Sequence, residues 1–133
     1  MARKKNKQIL LAIHDQNHIR KEWYIDFDGP EFQGFLARLT AEMKRLGVEV
    51  TVVRNRESVI SITSYADLLN VVKLSSPDDG HSNQCVGHII GKSEALNIMD
   101  DISAAVRRVA FAPETIAPSS EFRKVCHNCG CGC

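Results

Sequence analysis

The sequence has no long apolar run, no excess of charge of either sign and, outside its last eight residues, almost no cysteine. The first absence removes a membrane-spanning helix, which needs about 20 consecutive apolar residues. The second removes the long-range field that draws basic proteins to nucleic acid or anionic lipid, because Lys and Arg number 17 against 16 Asp and Glu. One basic run, Arg3, Lys4, Lys5 and Lys7, reads as a solvated tail, and no signal-peptide hydrophobic segment follows it. A cytoplasmic location is expected, with neither membrane nor nucleic acid as partner. The third absence removes a disulfide framework. Four of the five cysteines crowd into the last eight positions, where a cross-link closes no long loop and adds little stability.

What is present suits one globular domain. The chain of 133 residues is 44% hydrophobic and 25% charged, ordinary values for a domain with a buried core. The expected organisation is a basic tail over residues 1–7, a domain over 8–112, a proline-marked linker over 113–125 and a cysteine-rich tail over 126–133.

Within the domain the apolar spacing predicts the elements. Gln8–His14 suits a strand, Asp15 to Asn17 a turn, and Ile19–Phe27 a second strand completing a hairpin. Asp28 is placed to cap a helix with Pro30 in its first turn, along which Phe32, Phe35, Leu36, Leu39, Met43 and Leu46 recur until Gly47 stops it. Val48, Val50 and Val52 alternate as in a half-buried strand, and Val59–Ile62 resumes strand character. Ser64 is placed to cap a helix containing Leu68, Leu69, Val71 and Val72, and Ser75–Asn83 reads as a surface loop. Cys85–Ile90 then reads as the last strand, and a helix capped at Ser93 carries Met99, Ile102, Val106 and Val109 on one face. Together these predict an α/β (α+β) two-layer domain, with a mainly antiparallel or mixed sheet of about five strands covered by three helices.

The chemistry concentrates at the C-terminus. Cys126-His127-Asn128-Cys129-Gly130-Cys131-Gly132-Cys133 is a C-x2-C-x-C-x-C run. Thiolates are soft ligands that select zinc, copper(I) or iron–sulfur centres, and four of them match a tetrahedral shell. Cys126, Cys129, Cys131 and Cys133, with His127 beside them, are therefore the candidate metal ligands, and zinc is the first expectation. Structural zinc sites pair two C-x2-C knuckles held apart by a hairpin. Here one knuckle is followed by C-x-C steps whose glycines allow the chain to wrap a single ion, which suits a labile or delivering site. Arg123 and Lys124 put positive charge just before the first thiol and favour the thiolate. The competing expectation is a thiol–disulfide or sulfur-transfer protein using Cys129, Cys131 or Cys133. A helix ending just before Cys126 would set its negative end beside that thiol and oppose it. The working reading is a soft-metal accessory or handling protein, not an enzyme, whose globular part recognises a protein partner. Cys85 is expected to be a small core residue.

Three further patterns bear on function. Tyr24-Ile25-Asp26-Phe27-Asp28-Gly29 resembles the first motif of the haloacid-dehalogenase phosphatases over six residues. That resemblance implies Asp26 as nucleophile and Asp28 as general acid around Mg(II), at the end of a strand. The chain departs from the pattern at Pro30, where Thr is usual. Gly91-Lys92-Ser93 resembles the end of a phosphate-binding loop, but Gly87 stands one residue too close for the required spacing. His14, His18, His81 and His88 are scattered over expected strands, a turn and a loop. Although His14 and His18 stand four apart, they are not on an expected helix, so no metal triad is expected from them. Trp23 and Tyr24 adjoin in an expected strand and so point to opposite faces, which forms no stacking platform.

Overall fold

The computed structural model describes residues 7–19, 21–91 and 97–116. Strands β1 (Lys7–His18), β2 (Val48–Ile62), β3 (Val72–Ser76) and β4 (His81–Cys85) form one sheet in the order β2-β1-β3-β4. The helices are α1 (Pro30–Arg45), α2 (Tyr65–Val71), α3 (Val86–Ile90) and α4 (Ile98–Phe111). β1 and β2 run parallel and are connected through α1, whereas β3 is antiparallel to β1 and β4 to β3. The fold is thus α+β with a mixed sheet. Among the described residues no helix is long and apolar enough to cross a membrane.

Alternation along the strands selects the face that carries the core. Ile9, Leu11 and Ile13 of β1, Val48 and Val50 of β2, and Val72 and Leu74 of β3 are all buried, in register with one another. They share one cluster with Phe32, Leu36, Leu39 and Met43 of α1 and with Ile98, Ile102, Ala105, Val106 and Val109 of α4. The other sheet face is less covered, since Leu10 and Val53 stay more than a third exposed. Gly47 ends the α1 connection at φ 84°, a conformation that costs glycine little, and its carbonyl accepts from the Lys7 N–H.

The domain is closed by a polar latch where the described chain ends. Lys7 Nζ donates to the terminal α4 carbonyls of Val109 and Ala110 and pairs with Asp79 at 2.7 Å. The Ser76 hydroxyl donates to the same carboxylate at 2.6 Å. A cation at a helix C-terminus meets carbonyls that have no partner within the helix, so the pairing satisfies both. Pro113–Thr115 forms a 3-10 turn against this end, with Ile116 buried and Arg108 donating to the Thr115 carbonyl. Residues 113–116, expected to open the linker, pack on the domain. Lys7, expected in the basic tail, is part of β1.

Several expected elements differ, each for a physical reason. The hairpin between Gln8–His14 and Ile19–Phe27 does not form. β1 continues through Asp15, Gln16 and Asn17 because Val59–Ile62 of β2 offers it a ladder, reached across an irregularity in which Arg56, Glu57 and Ser58 have no partner in β1. The segment 19–27 becomes a 3-10 turn at Lys21–Trp23 followed by irregular chain. Its apolar residues serve packing instead, Phe27 edge-on to Phe32 and Trp23 against Tyr65. Val48–Val53 and Val59–Ile62, read as two strands, are one, and the sheet has four strands among the described residues. The expected loop at 75–83 belongs largely to the β3–β4 hairpin, turned by Pro77–Asp79 and a left-handed Gly80. Of the expected strand at 85–90, Val86–Ile90 is α3, a short apolar run that periodicity cannot assign, so the described residues hold four helices where three were expected.

Candidate functional site

The expected metal ligands Cys126, His127, Cys129, Cys131 and Cys133 lie outside the described residues. Among the described residues no three His, Cys, Asp or Glu side chains gather into a metal-binding group. His14 and His18 sit on β1, His81 on β4 and His88 on α3. His81 Nε2 lies 3.0 Å from the Pro113 carbonyl, which only accepts, so that nitrogen carries the hydrogen. Cys85 is buried where β4 meets α3, as a core residue should be.

The two carboxylates of the phosphatase-like motif are not at a strand end. Asp26 and Asp28 lie in the turn that leads into α1. Asp26 Oδ1 accepts from the Asp28 N–H at 3.1 Å, and the Asp26 carbonyl accepts from the Gly29 N–H at 3.0 Å. The turn is tight enough that a Cβ on Gly29 would stand 2.9 Å from Asp26 Oδ2, so a larger residue there would displace the Asp26 side chain. Asp28 does not cap α1. Its carboxylate pairs with Arg54, whose guanidinium also reaches Asp15 at 3.4 Å. The N-cap is Gly29, with Pro30 following as expected. Asp28 thus pairs, from the turn before α1, with Arg54 in the middle of β2, a use that competes with proton transfer.

The phosphate-loop pattern also lacks its setting, because Gly91 follows helix α3 and not a strand. Lys92 and Ser93 lie outside the described residues, and the cap of α4 is Asn97, whose side chain accepts from Met99 and Asp100 N–H.

What the structure does assemble is a cleft that the sequence did not announce. About 480 Å³ in volume, it is lined by Glu22, Trp23, Tyr24, Asp26, Glu31, Tyr65 and the start of α4 at Asn97–Met99, among others. Trp23 and Tyr24, expected on opposite faces of a strand, line the same hollow because the chain there is not extended. Trp23 and Tyr65 stand 5.4 Å apart, centroid to centroid, and the Tyr65 hydroxyl donates to Asp101 beneath. A second hollow of about 260 Å³ shares Ile25, Asp26, Glu31 and Met99 with the first and adds Pro30 and Phe32. Only the adjacency of Trp23 and Tyr24 to Asp26 in sequence hinted at this site. Tyr65 and Met99 join it through tertiary packing. No protein-family model, curated protein or solved structure matches this chain.

Proposed function

We propose that the chain is a soft-metal handling protein that holds its ion in the Cys126–Cys133 octet, while the folded domain recognises a protein partner. The observation that carries this reading is the octet itself: four thiols within eight residues, with glycine at both C-x-C steps. Four thiolates suit zinc first, and also copper(I) or an iron–sulfur centre. A reducing compartment such as the cytoplasm keeps such thiols available as ligands. With its ligands all in one short terminal stretch, the site exchanges its ion more readily than one built into a core, which favours delivery over a structural role.

The test is metal analysis of the full chain purified without oxygen. About one equivalent of zinc, lost when residues 126–133 are deleted, supports the reading. Absence of metal together with rapidly exchanging thiols would replace it with thiol–disulfide or sulfur-transfer chemistry at the same cysteines.

A further inference from the structure

The aromatic and acidic cleft has a chemistry of its own, independent of the cysteine octet. Trp23, Tyr24 and Tyr65 line it, Tyr24 being 62% exposed with its ring 4.8 Å from that of His18, and Tyr65 buried against Trp23. Asp26 and Glu31 stand on the rim shared by both hollows. Neither has a cationic partner among the described residues, and no described residue lining either hollow is Lys or Arg.

The starts of α1 and α4 also face this region, and each helix end contributes about half a positive charge. Two full negative charges on Asp26 and Glu31 outweigh them. At the rim that Asp26 and Glu31 share, their carboxylates favour a cation over an anion. The second hollow supplies the complementary half of a ligand, because Ile25, Pro30, Phe32 and Met99 make an apolar floor next to the same carboxylates. An ion with an aliphatic stem fits this division: the stem lies on the apolar floor and the charged head lies between ring faces and carboxylates. A hydrated metal ion has no apolar part to lay on the floor, and an apolar ligand leaves the carboxylates without a counter-charge.

We propose that this cleft binds an alkylammonium group, carried either by a lysine side chain or by a free polyamine. Trp23 is the only tryptophan of the chain, so its fluorescence reports on the cleft directly. The full-length protein is titrated with 1,8-diaminooctane and, separately, with 1,8-octanediol, which has the same stem without charge. A saturable change with the diamine and none with the diol is expected, weakening as salt is raised. Glu31→Gln should weaken the diamine about fivefold, the upper range for one solvent-accessible ion pair. Tyr24→Leu should weaken it as well, by removing a ring while leaving an apolar side chain. Spermidine and a peptide with a free lysine side chain and a blocked N-terminus then distinguish the sources, the tighter of the two naming the ligand. A flat titration with the diamine, an equal response to the diol, or an unchanged response in both variants would overturn the assignment.

Discussion

Leu39 lies mid-stripe on α1 and is almost fully buried among the core residues of the sheet and α4. Removing its isobutyl group leaves a void that the packed surroundings fill only in part, so Leu39→Ala should cost about 2–5 kcal/mol. Urea unfolding measures this, and stability equal to the parent would mean that the α1 face is wrongly placed. Asn97 gives a second, smaller test. Its side chain satisfies two N–H groups at the start of α4, at 3.0 and 3.1 Å, and Asn97→Ala should cost about 1 kcal/mol. The surface pair of Arg107 with Glu42, which joins α4 to α1, is about 40% exposed on both sides. Breaking it should change stability by less than about 1 kcal/mol, since exposed pairs are screened by water.

At the scale of the element, β1 carries the pH response. Burial lowers the pKa of His14 and of His18 from 6.5; for His14 the nearby Lys73 lowers it further, while Asp15 opposes the shift. Each histidine takes up a proton more readily in the unfolded chain than in the folded one. Their contribution is therefore present above about pH 6.5 and lost as the pH falls through the lowered folded values. The urea midpoint should be level above neutrality and decline below about pH 6.5, and His14→Gln should flatten part of that decline. A midpoint that holds constant into mild acid would show that the β1 histidines are not desolvated. For Asp79 of the latch, burial raises the pKa, but hydrogen bonds from Lys7 and Ser76 and the charges of Lys7 and His81 prevail, lowering it from 3.8. Its contribution is lost only in stronger acid, below that ordinary value.

These same elements show what the sequence made legible. The α1 stripe, the strand at Val48, the Ser64 cap of α2 and the stop at Gly47 are written in local spacing and in residues with one conformational preference. The continuation of β1 through Asp15-Gln16-Asn17 is not, because turn-forming residues there are overruled by pairing with a strand more than forty residues away. The β3–β4 hairpin is also hidden, since Ser82, Asn83 and Gln84 have weak strand preference and take their conformation from the β3 edge. The cleft was illegible for the same reason: its walls come from four separate segments.

At the scale of the whole molecule, the proposed metal site is confined to the Cys126–Cys133 octet, apart in sequence from the folded domain. The apolar helix and strand spacing of the sequence ends by about Phe111, so deleting residues 126–133 should leave the unfolding free energy within about 0.5 kcal/mol of the parent. A loss of several kcal/mol would show that the octet belongs to the core. The central claim concerns the thiols themselves, and single replacements scored for bound metal test it most directly. Cys129→Ser and Cys131→Ser should each lower zinc affinity strongly, being the central ligands of any wrapping of the octet, whereas Cys85→Ser should leave it unchanged. Affinity should also fall as the solution is acidified, because thiolates must be protonated as metal leaves. Full metal occupancy in the double variant lacking Cys129 and Cys131 would contradict the account.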